Sequence, residues 1–368
     1  MRGIGEMSKE HYLPKVVVTL LVIAFDLGYG TTMIDQNTTT ILPLKRRVLL
    51  LGGSGTIGSA TLHALHQAGY HVTCPLRRDT MESNKLKLFK DADCVDLSHL
   101  TSRAELTKFF EGRHFDAVIS CVAARKGMPS DAWAVDYEFN RHFLKSACQH
   151  SVSQFVLLSA ICVQKPRLEF QKAKLAFECL LQQSGVTWTI VRPTAYFKSL
   201  SGQFNRVKSG KAFLVFGDGK LNACKPISDG DVGLFLVRAL DDRHMHNKIL
   251  PIGGPGGALT PLDQGELMFE ACVEKKPRFR HVPIQFMNIV ASTLSCSRGL
   301  HPKLANMAEY ARIGQYYARE SMLVWNNNTN TYDADLTPEF GTHTLQDFYK
   351  SLALGHAQVH LGQQAFFK

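Results

Sequence analysis

Nine cysteines are scattered through the chain, and none stands in a C-x-x-C pair. That pattern argues against structural zinc, an iron–sulfur cluster and a disulfide framework, and suits buried small hydrophobes in a reducing compartment. No metal site is expected. No arginine-rich run is interleaved with aromatics, which excludes nucleic acid as a partner class. Internal repeats and low-complexity tracts are absent as well. The apolar run Val16–Phe25 is ten residues long, too short to cross a bilayer as a helix. Hydrophobic content of 45% with 20% charged residues is ordinary for a globular protein with a large core. The net charge of +10 suits either a solubilising surface or an anionic ligand such as a phosphorylated cofactor.

Residues 1–45 do not read as fold. Lys9, His11 and Lys15 precede the apolar run, and a threonine-rich stretch follows with only Asp26 and Asp35 as acids. A signal-like core followed by a transit-like segment is expected to be a bipartite leader, removed on import into a plastid. The alternative is an extra strand on a sheet edge.

From Arg46 the segments alternate as strand and helix. Val48 to Leu51 reads as a buried parallel strand, and Gly52, Gly53, Gly55 and Gly58 follow it directly. Strand, glycine turn and helix make the first crossover of a dinucleotide-binding fold, in which backbone N–H groups meet a pyrophosphate. Two registers fit, Gly53-x-Gly55-x-x-Gly58 and Gly52-x-x-Gly55-x-x-Gly58. The pattern predicts a Rossmann-type, doubly wound parallel α/β sheet over residues 46–194. A smaller C-terminal α/β substrate domain is expected over 195–368, with some strands and helices returning to the core.

The turn assigns Gly52, Gly55, Thr56, Ile57 and Gly58 to the pyrophosphate. His71–Leu76 is the second strand, and the next residues are Arg77 and Arg78. An acid there would grip an unmodified ribose, whereas arginines accept a 2′-phosphate. NADPH is therefore the expected cofactor. Asp96 ends a short third strand near the adenine amino group. The fourth strand runs towards Cys121 and Ala123 beside the cofactor, and a later strand ends at Pro193 and Thr194 by the nicotinamide carboxamide.

Ser159 sits at the carboxyl end of the fifth strand, and Lys174 lies on the helix that follows. In short-chain dehydrogenase/reductases a strand-end serine and a Tyr-x-x-x-Lys make the catalytic group. Here the pair is Phe170 and Lys174, so the lysine is present and the phenol is missing. Phenylalanine cannot protonate a carbonyl oxygen, which leaves reduction of a carbon–carbon double bond, or loss of catalysis, open. Ser159, Lys174 and Pro193 together select the Gly52-x-x-Gly55-x-x-Gly58 register.

Longer strings then carry a closer likeness. Phe155–Pro166, Leu168–Lys174, Val191–Leu200, Phe216–Lys220, Cys224–Ser228, Leu250–Gly256, Leu259–Gly265 and Ile313–Ala318 resemble the NADPH-dependent divinyl chlorophyllide 8-vinyl reductases. These are atypical short-chain dehydrogenases that also carry phenylalanine at the tyrosine position. The resemblance covers about residues 46–368. It implies a plastid enzyme that reduces the 8-vinyl group of 3,8-divinyl chlorophyllide or protochlorophyllide to ethyl in chlorophyll synthesis. Lys174 would hold the nicotinamide ribose, and Ser159 would line the nicotinamide. Phe170, Tyr196 and Phe197 would line an apolar slot for the macrocycle, with Lys198 or Arg192 at its propionate. Peripheral association with plastid membranes is expected, and no oligomeric state is assigned. Two other readings stay open at this point: an NADP-sensing regulator without catalysis, and a reductase of another conjugated alkene.

Overall fold

The computed structural model describes residues 46–100, 102–124, 127–272, 276–283, 285 and 302–357. The leader expected at 1–45 lies outside these residues. The strands are β1 (Arg47–Leu51), β2 (His71–Leu76), β3 (Asp93–Asp96), β4 (Ala117–Ser120), β5 (Gln154–Leu158), β6 (Thr187–Pro193), β7 (Phe213–Phe216), β8 (Lys248–Ile252), β9 (Phe279–Val282), β10 (Val324–Asn326) and β11 (Thr331–Asp333). The longer helices are α1 (Thr56–Gln67), α2 (Arg103–Glu111), α3 (Asn140–Gln149), α4 (Glu169–Gln182), α5 (Asp229–Asp241), α6 (Pro261–Cys272), α7 (Pro302–Tyr317) and α8 (Leu345–Ala353).

Seven strands form one sheet in the order β3-β2-β1-β4-β5-β6-β8, and every pairing in it is parallel. A fully parallel sheet must be covered on both faces, which is why β1 is apolar at successive positions. Val48 and Leu50 enter one core with Leu62 and Leu65 of α1 and Leu236 of α5. Leu49 and Leu51 point the other way, into a core with Phe109 and Phe110 of α2, Phe143 of α3 and Phe177 of α4. The two-residue alternation of a strand thus feeds two helical layers.

The chain crosses to opposite faces after β1 and β4, so the carboxyl ends of these neighbours open the crevice where such sheets bind ligands. Residues past 195 contribute β8 to the same sheet and α5 to the layer beside α1. Gly233 of α5 allows that contact, since a Cβ there would lie 2.8 Å from the Ala60 carbonyl carbon.

A third core collects Phe197, Phe204, Val207, Phe213, Val215, Met268, Phe269 and Tyr349, beside the small parallel pair β7–β9. Residues 327–330 form the bend of the β10–β11 hairpin, with Asn330 at φ +55°. No helix among the described residues is long and apolar enough to cross a membrane.

Candidate active site

The glycine turn is determined by backbone collisions. Gly52 holds φ +78°, and a Cβ on it would sit 2.9 Å from the Cys121 carbonyl carbon. A Cβ on Gly58 would lie 2.1 Å from the Gly52 oxygen. Gly55 donates its N–H to that same oxygen at 2.9 Å. Gly53 has an ordinary φ, and a Cβ on it would meet side chains alone, the Cys74 sulfur nearest at 3.2 Å. Steric need therefore falls on Gly52 and Gly58, in line with the register chosen from the sequence.

Gly55 is the N-cap of α1 without a side-chain cap bond, and no acid stands in the first turn. The first N–H groups of a helix have no intrahelical acceptor and carry partial positive charge. At Thr56, Ile57 and Gly58 they offer donors to an anion, on a turn that Gly52 and Gly58 let close tightly onto the protein's own backbone.

At the adenosine end, Arg77 follows β2 and has Asp79 for its nearest acid, at 3.9 Å. Arg78 is turned to Asp96, with Nη2 3.2 Å from Oδ2. Asp96 also accepts from the Ser98 hydroxyl at 2.7 Å and the Ser98 N–H at 2.9 Å. The Ser98 hydroxyl, then its N–H and Arg78, hold this carboxyl below its ordinary range. The two expected adenosine contacts, Arg78 and Asp96, thus meet each other, and Arg77 is the cation less engaged by an acid.

At the nicotinamide end, the Cys121 N–H donates to the Leu51 oxygen at 2.9 Å. Burial pushes its thiol up to about 12, so it stays neutral. Ala123 is exposed on the loop after β4. Lys174 is no surface lysine. Its side chain is 12% exposed, and Nζ lies 2.8 Å from Oδ1 of Asp136, whose side chain is 1% exposed. Asp136 belongs to a wide helical turn with π geometry, Trp133–Phe139, that leads into α3. Its second oxygen accepts the Ala124 N–H at 3.3 Å, tying the post-β4 loop to the lysine. The α4 helix that presents Lys174 is anchored by buried Gln171, whose Oε1 accepts the N–H groups of Arg167 (2.7 Å) and Leu168 (2.9 Å).

Ser159 is buried at the end of β5, and its hydroxyl donates to Glu178. Glu178 also receives Arg192 of β6 through two hydrogen bonds, Nε to Oε1 at 3.1 Å and Nη2 to Oε2. Ser159 and Arg192 are therefore held in one buried network on the α4 face that carries Lys174, four residues from Glu178. Pro193 ends β6. Thr194 is buried, its N–H on the Ile252 oxygen (2.9 Å) and its hydroxyl on the Lys225 carbonyl.

On the far side of Lys174, half-buried Phe170 packs in a fourth cluster with Ile161, Cys162, Leu168, Ile313 and Tyr316. The Tyr316 hydroxyl donates to the Cys162 oxygen at 2.9 Å, and the Tyr317 hydroxyl to the Cys162 sulfur at 3.8 Å. Tyr196 is half-buried, and burial raises its phenol well above its ordinary value, so it stays protonated. Phe197 is buried in the third core, 5.3 Å from the Phe348 ring centroid. Lys198 donates to the Thr56 hydroxyl at 2.9 Å. Phe170, Lys174 and Tyr196 are thus near the strand ends, while Phe197 points into packing and Lys198 into the glycine turn.

Four contributors escaped the sequence reading: Asp136, Glu178, Tyr316 and Tyr317. Glu178 had a signal, an acid one helical turn beyond Lys174. Asp136 lies between Trp133 and Tyr137, and only the wide turn brings its carboxylate inward.

A family described as NAD(P)H-binding matches residues 52–243. The divinyl chlorophyllide a 8-vinyl-reductase, chloroplastic, of Arabidopsis thaliana is 42% identical over 94% of this chain and 86% of its own length. Its namesake from Zea mays is 47% identical over 87% of this chain and 82% of its own. Among solved structures, the leucoanthocyanidin reductase–NADPH complex of Vitis vinifera superposes with a TM-score of 0.61 at 16% identity, over 84% of this chain and 99% of that one. At that identity the likeness speaks for the fold alone.

Proposed function

The chain belongs to the divinyl chlorophyllide a 8-vinyl-reductases, and from that premise we propose how its residues carry the reaction. It is a plastid oxidoreductase that uses a nicotinamide cofactor to reduce the 8-vinyl group in chlorophyll biosynthesis. NADPH is the cofactor we assign, because two arginines, rather than an acid, stand directly after β2 where the adenosine ribose meets such folds.

When bound, the reduced nicotinamide supplies hydride to the terminal vinyl carbon. The conjugated macrocycle takes up the electron pair, and a proton completes the inner carbon. No oxygen needs polarising in this reaction, so an acid at position 170 has no task. Phe170 instead offers an apolar edge to a flat ring system. Lys174, fixed by Asp136, would donate to the nicotinamide ribose and so hold the nicotinamide for the transfer. Ser159 supports the same face at one remove, by holding Glu178 and through it Arg192. Cys121, Ala123, Pro193 and Thr194 supply backbone walls around the nicotinamide.

One observation carries this reading: Phe170 and Lys174 stand one turn apart on α4, the lysine locked to a buried carboxylate and the ring packed on an apolar wall. Purified protein incubated with NADPH and divinyl chlorophyllide should yield the monovinyl pigment. Absence of product, under conditions where another member of the family turns over, would sink the proposal.

A further inference from the structure

We propose that Lys198 grips the pyrophosphate of the dinucleotide, closing the glycine turn from the second half of the chain. This deepens, and rests on, the nicotinamide site described above. The sequence placed Lys198 at the pigment's propionate. Its ammonium instead donates to the hydroxyl of Thr56 at 2.9 Å, across 142 positions of sequence.

Thr56 opens α1, whose amino end has neither a side-chain cap nor an acid in the first turn. An ammonium set against the positive end of a helix meets like charge, and the pair calls for an anion between them. The acid that feels Lys198 is Asp229, at the start of α5. Its Oδ1 is buried with no hydrogen-bond partner among the described residues, so it does not cap α1. One carboxylate against a helix terminus and a lysine leaves the place short of negative charge, and a diphosphate supplies two. Such an anion would sit on the free N–H groups of the first turn, beside the ammonium that touches Thr56.

Lys198 stands in the short helix Phe197–Leu200, directly after Tyr196. The Phe197 N–H is held by the Ile227 oxygen at 3.3 Å, which keeps this helix against the sheet ends. Occupancy of the pyrophosphate is therefore felt in the segment that presents Tyr196.

The test titrates NADP+ and NAD+ into the full chain and into Lys198→Met and Lys198→Arg, with the pigment KM measured in parallel. Lys198→Met should weaken both dinucleotides by about tenfold or more, since both carry the pyrophosphate. The pigment KM at saturating cofactor should move by less than about twofold, and Lys198→Arg should retain most of the affinity. Unchanged dinucleotide affinity with a raised pigment KM would overturn the assignment and return Lys198 to the propionate. A loss confined to NADP+ would overturn it too, by moving the lysine to the 2′-phosphate. Thermal unfolding of each variant separates a folding defect from lost contact. Failure of the wild-type chain to bind either dinucleotide would instead refute the underlying site.

Discussion

At the cofactor turn, the deciding residues lie within seven positions, Gly52 to Gly58, and the deciding contacts are made by backbone. The apolar wall opposite takes Cys162, Phe170, Ile313 and Tyr316 from three separate segments, and its contacts are made by side chains. A backbone cradle tolerates almost no change, because a misplaced methyl strikes atoms that cannot move. A side-chain wall can repack when the volume is kept. On the proposed function, the first would fix one ligand part shared by many enzymes, and the second would be where a substrate is chosen.

The largest effect should come from breaking the cradle. Gly58→Ala forces a methyl to 2.1 Å from the Gly52 oxygen and should cost more than about a hundredfold in dinucleotide affinity. Gly53→Ala, facing side chains that can give way, should cost less than about threefold; fluorescence titration of NADPH compares the two. Equal losses would erase the distinction between the registers.

Next comes the junction of the two regions. Lys174→Met should lower kcat by about 10²–10³. It also leaves Asp136 buried without a counter-charge, at a cost of about 3–5 kcal/mol in stability. Asp136→Asn in the same chain should restore part of that stability and none of the rate. Denaturant melts and single-turnover rates check both halves of this expectation.

Smaller still is the adenosine end. Arg77→Ala should relax the preference for NADPH over NADH by about 10- to 100-fold. Arg78→Ala should change it by only about threefold, because Asp96 already engages Arg78. Ratios of kcat/KM for the two cofactors decide it.

Asp229 offers a pH handle. Burial lifts its carboxyl from 3.8 to about 6, so the folded state holds this proton more tightly than the unfolded one. Its contribution to stability is thus present below about pH 4 and lost as pH rises towards about 6. Asp229→Asn should raise stability near neutral pH by about 1–3 kcal/mol, and the gain should vanish in acid. Melting temperatures across the range test the sign. The smallest effect is expected in the wall: Phe170→Tyr should leave vinyl reduction within about threefold, since a restored phenol has no oxygen to protonate. A large rise in rate would show that the reaction did lack an acid.

Most of the sheet was legible in the sequence because a parallel core writes short, dense apolar runs between turn residues. β2 has the bounds read from the sequence, and β1 differs from its reading by one residue at its start. The glycine register was legible because only glycine meets those collisions. What stayed hidden were contacts made across the fold. Lys198 reads as a contact for the pigment's propionate until the Phe197–Leu200 helix brings it to Thr56, and Phe197 reads as a pigment contact until Phe348 covers it. Ser159 had the right position, but its partner Glu178 depends on how α4 lies over β5 and β6, which periodicity does not specify.

The close seat of Gly233 on Ala60 also bears on when this protein becomes competent. Until Asp229–Asp241 has been made and docked, α1 has an uncovered apolar flank, and the first crossover cannot settle into its final layer. The edge strand β8 comes later in the chain again, and its end is clasped by the Gly253 N–H on the Pro338 oxygen at 2.7 Å, close to the carboxyl terminus. Contacts of such long sequence separation form slowly and only once the chain is nearly whole. A polypeptide emerging from a ribosome, or threading an envelope, thus has its glycine turn long before it can hold a dinucleotide. A dinucleotide site built this way is complete only once the chain has been made through Pro338.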